Sequence, residues 1–239
     1  MSLARTIRAT LARPWPLVGA ALLLATASAA APAKQNWTTA LRTTPEGTHI
    51  LGNPDAKVKL TEYVSYSCPH CAHFNAESEA TLRLGFVASG EGSVEVASFI
   101  RNPIDMAASL LVDCAAPTQT IRLHDIMLNG QTQWMARFAE VNDTQRARWE
   151  NGPMPARMRA IATDLDFYRL AEMVGIDHVR ADHCLEDDSA MKRLAALTQN
   201  AENNGVDSTP SFAIDGVVLA GTHDWQSLKL QLQARTMTP

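Results

Sequence analysis

The chain has 239 residues, of which 46% are hydrophobic and 19% charged, a globular rather than disordered balance with room for one elaborated core or two small domains. Its formal charge is −4, and becomes −7 once a leader carrying Arg5, Arg8 and Arg13 is set aside, 18 basic residues against 25 acidic. A chain that acidic lacks the basic face that phosphate contacts require, so no nucleic acid is expected as a partner.

The leader is the first element. Three arginines precede an apolar run over 17–25, and small residues follow over 27–31. That order of charge, apolar run and small residues predicts a signal peptide over 1–29, cut near Ala29. The apolar run is shorter than the roughly 20 residues of a comfortable membrane span; an uncleaved anchor is the alternative. Export would place the chain in an oxidising compartment, the periplasm, where disulfides persist.

Residues 30–47 show weak periodicity and are expected to form a loose lead-in. Strict alternation over 58–66 predicts a strand with Val58, Leu60, Val64 and Tyr66 on one face and Lys59, Thr61, Tyr63 and Ser65 on the other. Glu62 falls on the apolar face, an unusual place for a carboxylate. Cys68-Pro69-His70-Cys71 follows, then a helical pattern to about residue 87, a turn at Gly90-Glu91-Gly92 and a β-rich run over 93–100. A helical block spans 103–203, broken at Asn129-Gly130, at Asn151-Gly152-Pro153 and at Gly175. Two short β segments around Asp215-Gly216 predict a hairpin, and a helix over 225–235 closes the chain. The expected architecture is α/β with a mixed sheet and an inserted all-helical domain: 48–102 and 204–239 form the α/β parts, and 103–203 the insertion.

The Cys-x-x-Cys pair carries the chemistry. At a strand-to-helix junction Cys68 would meet free backbone N–H groups and the positive end of the helix dipole, both of which favour its thiolate. A protonated His70 beside it would add to this, and Pro69 suits a first helical turn, where its missing N–H costs nothing. Cys71 lies one turn on, close enough to bridge and on the buried side. Four-thiolate zinc sites want a second close pair, whereas Cys114 and Cys184 are single, and haem attachment wants His where Ala72 stands. His70 and His73 could join the cysteines around copper(I). No cofactor is expected beyond the redox-active Cys68–Cys71 disulfide itself.

The stretch Glu62-Tyr63-Val64-Ser65-Tyr66-Ser67-Cys68-Pro69-His70-Cys71 resembles the DsbA family of periplasmic disulfide oxidases. A second motif, Gly205-Val206-Asp207-Ser208-Thr209-Pro210-Ser211-Phe212, resembles that family's cis-proline loop. The resemblance runs over about 50–235 and implies a thioredoxin fold with the helical block inserted. It implies that Cys68 is the exposed nucleophile, Cys71 the buried resolving thiol, and Pro210 a cis-proline packed against them; the other reading of Thr209-Pro210 is a trans turn. Thr209 would present its backbone to an extended substrate peptide. Glu62 matches the family's buried acid and would accept or relay a proton as Cys71 changes state; the alternative is a carboxylate held by a backbone donor. Residue 209 is Thr, where the best-known oxidases carry an aliphatic residue and isomerases of the DsbC and DsbG type often carry Thr.

Cys114 and Cys184 are left over in the helical block and are expected to pair as a structural disulfide, as in some DsbA-like proteins; two separate buried thiols are the alternative. Met127, Met135, Met154, Met158 and Met173 are read as core filler, or else as the lining of a peptide groove. Asn36-Trp37-Thr38 and Asn142-Asp143-Thr144 match the glycosylation sequon, a short motif that arises by chance. The expected function is transfer of the Cys68–Cys71 disulfide to reduced, unfolded exported proteins by a monomer, with reoxidation by a membrane partner of the DsbB type. A reductase or isomerase on the same fold, and a non-enzymatic copper-binding or holdase protein, are the alternatives.

Overall fold

The computed structural model describes residues 35–236. The leader predicted over 1–29 lies outside them. Among the described residues, no helix is long and apolar enough to cross a membrane.

A six-stranded sheet runs in the order β1-β2-β4-β3-β5-β6. Its strands are β1 (Leu41–Thr43), β2 (His49–Gly52), β3 (Val58–Val64), β4 (Gly92–Ser98), β5 (Ser211–Ile214) and β6 (Val217–Val218). β3 and β4 are parallel, joined by a crossover through α1 (Pro69–Thr81) and a π-helical turn over Leu82–Val87. Every other pairing is antiparallel, so the sheet is mixed, as the hairpin predicted.

The lead-in departs from expectation. Its described part holds a 3₁₀ turn at Trp37–Thr39 and the edge strand β1, and β2 follows directly after it. Three- and four-residue strands hold too few alternations to register as a pattern. They form because β4 offers its free edge to β2, which takes it at His49↔Val96 and Leu51↔Val94. A second departure concerns Ser65, expected on the polar face but wholly buried. β3 ends at Val64, so the alternation stops there and Ser65 turns inward.

Leu60, Phe74, Phe212, Trp225 and Leu228 form the core beneath one face of the sheet. Phe74 on α1 packs its ring 4.6 Å from Phe212 and 6.3 Å from Trp225, the first residue of the C-terminal helix α10 (Trp225–Thr236). Burying a side chain of that size stabilises the fold by roughly 1.5–3 kcal/mol. On the other face, Tyr63 packs against Phe99, Ala201 and Val206.

Eight helices fill the block between β4 and β5: α2 (Pro103–Asp113), α3 (Pro117–Asn129), α4 (Gln131–Ala139), α5 (Asp143–Glu150), α6 (Met154–Asp164), α7 (Phe167–Glu172), α8 (His178–Leu185) and α9 (Asp188–Asn203). Their starts are written locally. Asn102 caps α2 ahead of Pro103, Asn142 and Gln145 form a capping box on α5, and Asp177 and Asp187 cap α8 and α9. Met127 and Met158 are fully buried in this block, but Met154 and Met173 are 42% and 47% exposed, so the methionines are core filler only in part. Cys114, the C-cap of α2, is bonded to Cys184 of α8 with their Cα atoms 5.8 Å apart. The Arg180 guanidinium donates to the Cys114 carbonyl at 2.9 Å and holds the same two helices together.

Candidate active site

β3 feeds straight into α1, and the junction places Cys68 at the N-cap with Pro69 in the first turn. Tyr66, Cys68 and Cys71 belong to the core of the helical block, whereas Phe74, one turn on from Cys71, belongs to the core under the sheet. The cysteine pair therefore sits where the two cores meet.

Both thiols are free, and both are covered. Cys71 is 0% exposed, as expected of a buried partner, but Cys68 is only 3% exposed, so it is not the open nucleophile that the sequence suggested. The cover comes from the loop before β5. The Thr209–Pro210 bond is cis, and the Cys68 thiol donates to the Thr209 carbonyl at 3.1 Å. Pro69 and His70 are exposed and border the pair on its open side.

The surroundings treat the two sulfurs oppositely. The Cys68 thiol is pulled down to about 4, first by the hydrogen bond from Cys71, then by the Thr209 side chain and the backbone N–H groups of Cys71 and His70, all of which outweigh its burial. The Thr209 hydroxyl has no other partner among the described residues, so it is free to serve the thiolate once the thiol no longer donates to the carbonyl. His70 acts through its backbone N–H, while its ring stands in solvent. Burial pushes the Cys71 thiol well up, and the hydrogen bond and charge of Cys68 and the charge of Glu62 add to it. A stabilised thiolate beside a thiol that keeps its proton is the asymmetry that disulfide exchange uses.

Three side chains from the helical block hold the loop before Cys68, and nothing in the local sequence announces them. Asp105 of α2, wholly buried, accepts from the Ser65 hydroxyl at 2.9 and 3.0 Å, from the Ser67 N–H at 2.8 Å and from the Arg101 N–H at 3.0 Å. Asn102 donates to the Ser67 hydroxyl at 2.7 Å. Gln131, at the start of α4, donates from its amide nitrogen to the carbonyls of Tyr66 at 2.7 Å and Cys68 at 2.9 Å. His223 does similar work on the opposite side: its Nδ1–H donates to the Pro210 carbonyl at 2.9 Å.

Beneath the pair, Glu62 is 4% exposed and its Oε1 has no hydrogen-bond partner among the described residues. Burial, then the charge of Asp125, raises its carboxyl to about 8. No backbone donor at Oε1 removes the sequence alternative for that oxygen. Next to it, the Tyr66 hydroxyl is 3.0 Å from His124 Nδ1. Burial holds His124 down at about 4 and pushes Tyr66 well up, so a neutral phenol and a neutral imidazole share this hydrogen bond. Among the described residues, no three His, Cys, Asp or Glu side chains gather as a metal site. On the other flank, Met106, Met154, Met158 and Met191 line an apolar surface cavity of about 460 Å³ that also reaches Asn102, the residue bonded to Ser67.

Comparison with known proteins agrees with this geometry. The family model described as thioredoxin matches residues 43–234. A Rickettsia bellii protein, provisionally named a protein-disulfide oxidoreductase, is 27% identical over 177 residues, covering 72% of this chain and 58% of the relative. The chain thus spans little more than half the length of that curated relative. A solved structure of a protein-disulfide isomerase from Novosphingobium aromaticivorans is 47% identical, with a TM-score of 0.77, covering 80% of this chain and 98% of that one. The alpha-DsbA1 structure of Wolbachia pipientis shares the fold at a TM-score of 0.62 and 17% identity, covering 77% and 88%.

Proposed function

The chain belongs to the thioredoxin family, and from that premise we propose that it is a thiol–disulfide oxidoreductase working through Cys68 and Cys71. The observation that carries the reading is the placement of Cys68: N-cap of α1, hydrogen-bonded to the loop of the cis Thr209–Pro210 bond, with Cys71 fully buried one turn later.

The electrons run as follows. A substrate thiolate attacks Cys68 Sγ of the oxidised pair, the Cys68–Cys71 bond breaks, and the electron pair leaves on Cys71, which takes up a proton. The second substrate thiolate attacks the substrate sulfur of the mixed disulfide and expels Cys68 as a thiolate. The substrate is oxidised by two electrons and the pair is reduced by two. Each pKa unit by which the Cys68 thiolate is favoured stabilises the reduced form by about 1.4 kcal/mol and raises the potential by about 30 mV. The low Cys68 value therefore favours the oxidase direction. The leader over 1–29 supports export, and so reduced, unfolded exported proteins as substrates in the periplasm, with a DsbB-type membrane protein as reoxidant. The methionine-lined cavity beside Asn102 is an adaptable apolar surface for such chains.

Two observations favour a second reading. The Novosphingobium relative is described as an isomerase, and Thr209 stands where isomerases often carry Thr. Reactivation of scrambled ribonuclease, which an isomerase catalyses and an oxidase does not, separates the two; equilibration with glutathione, with the 68–71 peptide read by mass spectrometry after acid quenching, separates an oxidase from a reductase. An oxidase stays largely reduced in buffers where glutathione is mostly oxidised. A pair that stays oxidised in reducing glutathione rejects the oxidase and moves the reading to a reductase.

A further inference from the structure

Behind Glu62 lies a cavity of about 50 Å³, several times the ~10–15 Å³ that one water needs. Glu62 enters it from β3, Asn75, Glu79 and Arg83 from α1 and the π-helical turn, and His124 and Asp125 from α3. Asp125 also lines a second, outer cleft of about 370 Å³, together with Thr38, Leu41, Arg83 and Arg122. It is thus one of the side chains shared by the inner cavity and the outer cleft. Its Oδ1 is buried with no hydrogen-bond partner among the described residues, as is Oε1 of Glu62. Two carboxyl oxygens without partners on one water-sized cavity, one of them on the wall toward solvent, make a two-station path.

We propose that Asp125 passes the proton of Glu62 between the inner cavity and solvent, a positioning residue that acts through Glu62 on the state of Cys71. The inference rests on the oxidoreductase reading. When the Cys68–Cys71 bond breaks, the Cys71 thiolate takes the proton of the Glu62 carboxylic acid. The Glu62 carboxylate is refilled through the cavity from Asp125, and Asp125 from water. Reoxidation of the pair runs the same proton outward.

The groups facing the path fit this traffic. Glu62 feels Asp125, and Cys71 and Tyr66 in turn feel Glu62. Asp125 faces Glu79 and Arg83, themselves ion-paired at 2.7 Å, and the Asn75 side chain; burial, reinforced by Glu79, holds it near 7. His124 is kept neutral by burial, with His49 adding to the effect, and does not compete for the proton. Stations near 8 and near 7 exchange a proton with little bias in either direction.

The test is the steady-state rate at which the full-length protein passes electrons from dithiothreitol to oxidised glutathione, each turnover of which must refill and empty Glu62, across the pH range that brackets both carboxyls. Asp125→Asn should slow this turnover at neutral pH on the order of tenfold and move the midpoint of the profile downward, because Glu62 loses a neighbouring negative charge. Asp125→Glu, and added imidazole as a diffusible proton carrier, should restore the rate, and Asp125→Asn should add nothing in a Glu62→Gln background. An unchanged rate and profile in Asp125→Asn, or a slow variant that neither Asp125→Glu nor imidazole rescues, overturns the proposal. In the wild-type protein, carbon-13 carboxyl resonances of Glu62 and Asp125 should titrate as a coupled pair, and two independent single steps likewise overturn it. A wild-type protein that does not exchange with dithiothreitol at all rejects the oxidoreductase reading itself, and this inference with it.

Discussion

The molecule holds two pairs of cysteines in unlike surroundings. Cys114 and Cys184 lie 70 residues apart in sequence, on α2 and α8, and are bonded inside the helical block. Cys68 and Cys71 lie at the first turn of one helix, are free, and sit against the cis Thr209–Pro210 loop. A bond across 70 residues removes much freedom from the unfolded chain, whereas a bond within one helical turn removes little. The first pair is therefore placed to stabilise. The second is placed to react, because its two sulfurs are held in opposite protonation states. Function follows from the neighbours that each sulfur is given, and identical side chains divide into scaffold and reagent.

The sharpest way to break this comparison is to remove one sulfur at a time. Cys68→Ser should abolish oxidation of a reduced test peptide while leaving the circular dichroism spectrum unchanged. Cys71→Ser, given the disulfide-bonded form of that peptide, should accumulate a mixed disulfide visible as an added mass: the Cys68 thiolate attacks one peptide sulfur, the other leaves as a thiolate, and no Cys71 is present to resolve the new bond. Residual turnover in Cys68→Ser would place the nucleophile elsewhere.

Removing the other pair should do the reverse. The double variant Cys114→Ala/Cys184→Ala should lose roughly 4 kcal/mol in denaturant unfolding, from a closed loop of about 70 residues. The Cys68–Cys71 potential should not move, and a large change would mean that the two pairs are coupled.

A smaller effect is expected at the join between the block and the site. Gln131→Ala leaves the buried carbonyls of Tyr66 and Cys68 without their donor and should cost about 1–3 kcal/mol. Because the lost bonds hold the active-site loop, its exchange kinetics should change as well, unlike those of the Cys114/Cys184 variant.

A dependence on pH is expected as well. In the folded protein Cys68 titrates near 4, and in the unfolded chain near its ordinary value of 9. A depressed group stabilises the folded state above its unfolded pKa, and that stability is lost as pH falls through the folded one. The reduced protein should therefore gain stability over the oxidised protein as pH rises from about 4 toward 9, read from thermal unfolding of both forms. Cys71, whose thiol is raised, opposes this only above its unfolded value. A gap that does not vary with pH would remove the asymmetry on which the comparison stands.

How much of this was legible beforehand depended on distance along the chain. β3, α1, the hairpin and the helical block were readable because each is specified by its own residues: alternation, a proline in the first turn, Asp215-Gly216, and a helical pattern broken at Gly130, Gly152 and Gly175. β1 and β2 were not, since three or four residues carry no pattern and the pairing comes from β4. Cys68, Cys71, Thr209, Pro210 and Glu62 were readable from two motifs and one misplaced carboxylate. Asp105 and Gln131 were not, because a buried acceptor 38 residues from Ser67 and a buried donor 63 residues from Cys68 look in sequence like ordinary polar residues near the starts of their helices. The Thr209 loop, 141 residues away, was expected against the pair; what escaped is how fully it covers Cys68, which it leaves only 3% exposed.

The most direct test of the central claim is the pH dependence of Cys68 alkylation by iodoacetamide in the reduced protein, with the modified peptide identified by mass spectrometry. A midpoint near 4 is the result that the hydrogen bonds from Cys71, from Thr209 and from the first-turn N–H groups require. A midpoint near 9, the ordinary thiol value, would contradict the account and leave the pair without its driving force.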